Sequence, residues 1–181
     1  MKEPFPTREA GCTLYFDELS EAMAWLGKQD DTVFLGQSVC YKGNAIFKTL
    51  SDVPMEKRIE MPVAEDMQMG MSIGMAMAGK VPISIYPRFD FLLCAVNQLV
   101  NHLDKGIYPG KVIIRTCVGA TKPMHPGVQH CGDYSDGLEK MLKHVSVIQL
   151  THPLDIMPAY LGAYASSRST VLVEYGDLYN E

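Results

Sequence analysis

Glu65 and Asp66 stand side by side where a helical pattern begins, in the stretch Pro62-Val63-Ala64-Glu65-Asp66-Met67-Gln68-Met69-Gly70-Met71. Carboxylates in a first helical turn have an ordinary explanation, because they complement the positive end of the helix dipole. Glu65 has a second property. Its sequence neighbours Met61, Val63, Ala64, Met67 and Met71 are apolar, and a carboxyl in apolar surroundings favours its protonated form. A group that holds and returns a proton near neutrality is what a proton relay needs. His125, His130 and Cys131 could also do chemistry, but their spacing matches no zinc pattern and no fourth ligand follows, so no metal is expected on this chain. His130 stands above an ordinary surface histidine because it lies in a long loop, Gly119 to Gly132, of the kind that is usually functional or mobile. Glycine-rich phosphate loops of the Gly-x-Gly-x-x-Gly or Gly-x-x-x-x-Gly-Lys-Ser/Thr type are absent.

The elements that must position these residues alternate in type. Apolar runs at Val33–Gly36, Arg58–Met61, Val81–Tyr86, Lys111–Arg115, Val145–Leu150 and Thr170–Glu174 predict short strands. Three- and four-residue apolar periodicity predicts helices at Thr13–Lys28, with Thr13 as cap, from Glu65 onward, at Phe89–Leu103, Asp136–His144 and Pro153–Ser166, and a weak turn at Gly43–Leu50. Short apolar strands alternating with amphipathic helices are the pattern of a three-layer α/β/α domain with a mostly parallel sheet. Ligands in such folds sit beyond the carboxyl ends of the strands, so the loops at Pro62–Glu65, Tyr86–Arg88 and Cys117–Gly132 should share one rim. Glu65, the Tyr86 to Phe91 segment and His130 would then converge.

Within the Glu65 helix, Gly70, Gly74 and Ala78 repeat at four-residue spacing and share one side, with Met67, Met71 and Met75 beside them. Each glycine costs roughly 1 kcal/mol of helix stability relative to alanine, so something must offset it. Either the row meets another helix at a dimer axis, or it packs tightly on the chain's own sheet. The methionines read as core filler.

With 181 residues, 47% of them hydrophobic and 20% charged, the chain can bury a sizeable core and is too apolar for intrinsic disorder. One domain over residues 1–181 is expected. The net charge of -5 argues against a nucleic-acid partner, which needs clustered Lys and Arg. Five scattered cysteines without a Cys-x-x-Cys pair suggest a reducing compartment, and no apolar run is long enough to span a bilayer. A cytoplasmic protein with a small-molecule or protein partner is the expectation.

At these residues the chain resembles the pyrimidine-binding domain of thiamine-diphosphate enzymes, as found in the beta subunit of 2-oxoacid dehydrogenase decarboxylase components and in transketolase. Several separated motifs carry the likeness: Pro62-Val63-Ala64-Glu65 with Gly70, Gly74 and Ala76-Met77-Ala78-Gly79; Pro82-Ile83; Phe89-Asp90-Phe91 with Ala95-Val96-Asn97-Gln98; Gly119-Ala120; Gln129-His130; and Val171-Leu172-Val173-Glu174. The resemblance implies that Glu65 hydrogen-bonds the ring nitrogen of the cofactor's aminopyrimidine and drives it to the imino tautomer. From that tautomer the nucleophile that attacks a 2-oxoacid or ketose is made. It further implies that Phe91 stacks on the pyrimidine, with Tyr86 and Phe89 in the same cofactor-binding segment, and that His130 handles protons of substrate or intermediate.

Three departures qualify the likeness. The family binds the diphosphate and its Mg2+ on a separate domain, through a Gly-Asp-Gly motif followed by an Asn; here the nearest string is Gly132-Asp133-Tyr134. Relatives often carry a polar side chain where this chain has Cys94. The transketolase-type C-terminal domain of the family's beta subunits is also not expected within residues 1–181. The resemblance therefore implies a split enzyme: this chain shares thiamine diphosphate with a partner subunit that holds Mg2+, in a homodimer or heterotetramer built on the Gly70/Gly74 helix. The alternative is a non-catalytic homologue acting as an interaction or regulatory module.

Overall fold

The computed structural model describes residues 14–122 and 125–180. Its strands are β1 (Thr32–Gly36), β2 (Arg58–Glu60), β3 (Val81–Tyr86), β4 (Ile113–Val118), β5 (Ser146–Gln149) and β6 (Thr170–Tyr175). They form one sheet in the order β2-β1-β3-β4-β6-β5, and every neighbouring pair is parallel. Helices α1 (Tyr15–Gly27), α2 (Ala45–Lys48), α3 (Glu65–Met77), α4 (Phe89–Leu92), α5 (Ser135–Met141) and α6 (Pro153–Ala165) connect them. The three-layer α/β/α architecture expected from the alternating pattern is the one observed.

Period-two alternation divides the core. Ile113 and Cys117 of β4 and Leu172 of β6 face α1 and α6, packing with Leu19, Met23, Leu26, Ile156 and Tyr160. Ile114, Val171 and Val173 face the other way, onto Met69 and Ile73 of α3, Phe89 and Leu92 of α4, and Leu138 of α5. The first face also buries charge. Glu174 accepts from Arg115 Nε (2.5 Å) and Nη2 (3.0 Å), from the Tyr160 hydroxyl (2.5 Å) and from the Tyr179 hydroxyl.

Four details differ from the pattern reading. The Thr13 cap lies outside the described residues, and Leu14 occupies the N-cap position of α1. Strand β4 begins at Ile113 because the Val112 N–H goes to Ser169 Oγ, and it runs on to Val118 because Cys117 and Val118 pair with Glu174 and Tyr175; Lys111 Nζ donates to the Tyr164 and Ser166 carbonyls. The helix expected over Phe89–Leu103 is interrupted by a 3-10 turn at Leu93–Ala95 and ends in a π turn at Gln98–Leu103, where Asp104 N reaches Leu99 O. That last turn brings the Asp104 carboxylate onto the N–H groups of Lys143, His144 and Val145. These N–H groups are then lost to α5, which stops at Met141.

Candidate functional site

All strands are parallel, so the segments after β2, β3 and β4 leave the sheet at one rim. Glu65 opens α3 immediately after the β2 turn, with Ala64 as N-cap. It is 9% exposed, and its Oε1 accepts a hydrogen bond from Gln37 Nε2 at 2.9 Å. Its Oε2 has no hydrogen-bond partner among the described residues. Val63 and Met67, counted as apolar neighbours in sequence, point to solvent at 81% and 46% exposure. The immediate polar contact of Glu65 is an amide donor.

Two devices hold that pair in place. Gln37 follows β1 in a turn where Ser38 adopts φ 56°, and Glu60 secures the turn by accepting from the N–H groups of Ser38, Val39 and Cys40 at 2.6–2.9 Å. Helix α3 is tied to the sheet by Gln68, whose Nε2 donates to Ile85 O (3.0 Å) and Ser84 Oγ (3.1 Å), and by Ser72, whose hydroxyl meets Ser84 Oγ at 3.0 Å. Gln37, Glu60 and Gln68 escaped the sequence reading. Gln37 alone left a signal, as the first polar residue beyond an apolar strand at the carboxyl end of a parallel sheet.

From the β3 side, the Tyr86 hydroxyl donates to Glu65 O at 3.3 Å. Tyr86 and Phe89 are both fully buried, beneath the rim. Burial pushes the Tyr86 phenol well above its ordinary range, so it stays a neutral donor. Phe91 is only half-buried, and its ring meets that of His130 edge to face, with centroids 5.6 Å apart at 76°. His130 ends a short 3-10 turn, Val128–His130, inside the long loop after β4. Its Nδ1 is buried with no hydrogen-bond partner among the described residues. The loop folds back so closely that a Cβ on Gly119 would lie 1.8 Å from the His130 carbonyl oxygen, so only glycine fits there. Phe91 and His130 therefore touch, and Glu65 lies with Gln37 and Tyr86. His125 is exposed, and its Nδ1 accepts from Gly127 N, a contact within its own loop.

The outer side of α3 answers the question left by the glycine row. Gly74 is exposed and a Cβ there would meet nothing within 4 Å, while Gly70 faces Gln98 at an ordinary 3.8 Å. Tight packing on the chain's own sheet is not their reason. Met67 and Met71 are exposed and Met75 only half-buried; core filling in this helix falls to Met69, which is fully buried. No described helix is long and apolar enough to cross a membrane.

No family model matches the chain. Individual proteins do. Over 174 residues it is 29% identical to the pyruvate dehydrogenase E1 component subunit beta-3, chloroplastic, of Oryza sativa, covering 92% of this chain and 44% of the relative. It is 32% identical over 139 residues to the mitochondrial pyruvate dehydrogenase E1 component subunit beta of Caenorhabditis elegans, covering 71% and 39%. With the 2-oxoisovalerate dehydrogenase subunit beta of Bacillus subtilis it shares 28% over 144 residues, 77% and 44%. The chain thus spans about half the length of the curated relatives it matches. Among solved structures, a split-gene transketolase described as an inactive beta4 tetramer superposes with a TM-score of 0.68 at 17% identity, over 91% of this chain and 52% of that one. A structure described as a putative thiamin diphosphate-dependent enzyme isolated from Mycobacterium smegmatis superposes with a TM-score of 0.60 at 14% identity, over 90% of this chain and 32% of that one. By sequence the chain is a relative of the beta subunits of pyruvate and 2-oxoisovalerate dehydrogenases, and by architecture it shares the fold of these transketolase-like, thiamin diphosphate-dependent enzymes.

Proposed function

We propose that this chain is the pyrimidine-binding component of a split thiamine-diphosphate-dependent enzyme, acting with a second subunit that holds the diphosphate and its Mg2+. The observation that carries the reading is Glu65, nearly buried at the head of α3, with one oxygen on Gln37 and the other without a hydrogen-bond partner among the described residues. The donor set suits the aminopyrimidine end of the cofactor: a carboxylate oxygen for the ring nitrogen and, in Phe91, a half-buried ring for the aromatic face. It does not suit the diphosphate, because Glu60, Glu65, Asp66 and Asp90 all follow or end strands at the same rim and repel an anion.

Each residue has a role in this reading. Gln37 holds Glu65 Oε1 and leaves Oε2 as the oxygen that would meet the ring nitrogen and hold a proton there. Tyr86, through its bond to the Glu65 carbonyl, fixes the first turn of α3. Phe89 supports the rim from below. His130, packed on Phe91, moves protons to and from the substrate through Nε2. Thiamine diphosphate, when bound, supplies the electron sink for decarboxylation or two-carbon transfer on a 2-oxoacid or ketose. The open Gly70/Gly74 side of α3 is the surface offered for assembly, as a homodimer or heterotetramer, in a reducing cytoplasm.

The test is thiamine-diphosphate-dependent turnover of a 2-oxoacid by this chain mixed with a candidate partner. Glu65→Gln is expected to lower kcat by about 10²–10⁴-fold; wild-type activity in that variant would remove Glu65 from its role. Calorimetry with this chain alone should detect weak cofactor binding or none. The exposed Gly74 and Met67 would serve equally a non-catalytic homologue that pairs with and regulates a larger subunit. Assembly without any turnover is the result that favours that second reading.

A further inference from the structure

Among its described residues, the loop that carries His130 has one 3-10 turn, Val128–His130, with glycines at 119, 127 and 132, and a first stretch held to the segment after β6. That first stretch is secured by Asp177, which accepts from Thr121 N (2.6 Å), Thr121 Oγ1 (2.8 Å) and Lys122 N (3.2 Å). The second end is secured by a different carboxylate. Asp90, between Phe89 and Phe91 in α4, accepts from Gly132 N through Oδ2 (3.2 Å) and from the Tyr134 hydroxyl through Oδ1 (3.0 Å). On either side of it the rings pair across the same gap: Phe89 with Tyr134, centroids 5.5 Å apart, and Phe91 with His130. A Cβ on Gly132 would fall 2.3 Å from the Tyr134 hydroxyl, so this end of the loop packs closely against the Tyr134 ring.

We infer that Asp90 is a positioning residue: it clamps the second end of the loop to α4 and so sets the His130 ring against Phe91. The close approach of Gly119 fixes the His130 carbonyl, and the direction of its ring is left to the contacts at the second end of the loop. Asp90 is two residues from His130 across one backbone hydrogen bond, and one residue from Phe91 along α4. The geometry therefore transmits any loosening of Asp90 directly to the Phe91–His130 contact. Asp177 secures the other end, nine residues before His130, and is the natural control.

The inference rests on the proposed role of His130, and two measurements keep the two separable. In the isolated full-length chain, the His130 ring protons feel the ring current of Phe91; they are assigned by comparison with His130→Gln in a ¹H–¹³C spectrum. Asp90→Ala is expected to remove that ring-current shift and to speed amide exchange at residues 130–134 by about tenfold or more, with Asp90→Asn restoring part of both. Asp177→Ala should leave the His130 signal in place. An unchanged His130 shift in Asp90→Ala overturns the inference, whatever the enzyme does. If Asp90→Ala fails to fold, Tyr134→Phe, which keeps the ring pair and loses one hydroxyl bond, must show a smaller change of the same sign, and no change there overturns it equally. In the assembled enzyme, Asp90→Ala should lower kcat by about tenfold to hundredfold with the KM for thiamine diphosphate little altered. A lost ring-current shift with undiminished kcat would leave the clamp standing and sink the role of His130.

Discussion

The two faces of the sheet are built on different terms. The α1/α6 face is closed by its own chain: Leu19, Met23, Leu26 and Tyr160 are fully buried, and the Arg115–Glu174 pair beneath them is bonded to two tyrosines. The α3/α4 face is equally dry next to the sheet, at Met69, Phe89, Leu92 and Leu99, but its outer surface carries Met67, Met71, Met77 and an unobstructed Gly74. A large apolar side chain left in water forgoes about 1.5–3 kcal/mol of burial, and a helical glycine adds to the deficit. One face is thus finished as a fold. The other spends helix stability on a surface that does nothing for this chain alone, and it is the face from which Glu65 projects.

The contrast can be broken or sharpened by mutation. The largest effect should come from the closed face: Glu174→Ala leaves Arg115 buried without its counter-charge and is expected to cost about 3–5 kcal/mol in chemical denaturation. A loss under about 1 kcal/mol would mean that the closed face is not held by this cluster. Next is the α3/α4 side near the sheet, where Asp104→Ala removes three backbone N–H bonds and is expected to cost about 2–3 kcal/mol. Burial works against the Asp104 charge, but those N–H groups outweigh it and hold its carboxyl below the ordinary range. A depressed carboxyl stabilises above its unfolded value, about 3.9, and that contribution is lost as pH falls through the lower folded value. The stability gap between wild type and Asp104→Asn should therefore close on acidification below about pH 4.

On the outer surface the sign reverses. Gly74→Ala is expected to stabilise the isolated chain by up to about 1 kcal/mol, because helix propensity improves and the new Cβ meets nothing. The same variant should weaken association with the partner, read by analytical ultracentrifugation; unchanged association would remove the glycine row from the interface. Smallest of all, Met71→Gln should move stability by no more than about 0.5 kcal/mol, whereas Met69→Ala two residues away should cost about 2–5 kcal/mol.

Much of this arrangement could be read before the structure. Helices α1, α3 and α6 and strands β1, β3 and β6 lie within a few residues of their expected bounds, because apolar periodicity follows burial and burial follows the layers. The misses share a cause. Strand β4 starts late because the Val112 N–H goes to the Ser169 hydroxyl, 57 residues away in sequence. Helix α5 stopped short because its next N–H groups go to Asp104. In each case a polar group reaches across the fold and overrides a local preference, and no periodicity records it.

The candidate site divides in the same way. Glu65 was legible as a carboxyl at a helix start, and His130 as a histidine in a long rim loop, because residue type and local position are properties of the chain. Their partners were not. Gln37 on Glu65 is twenty-eight residues distant, and the Asp90 bond to Gly132 spans forty-two. Nor could spacing say that Tyr86 and Phe89 lie beneath the rim while Phe91 reaches half out of it. The sequence by itself determined the alternation of strand and helix, the division of the core into two faces and which carboxylate heads α3. Only the tertiary structure decided which oxygen of Glu65 is taken, which ring His130 rests on and which side of α3 is left bare, since all three depend on hydrogen bonds and contacts between segments that meet only when the parallel sheet has formed.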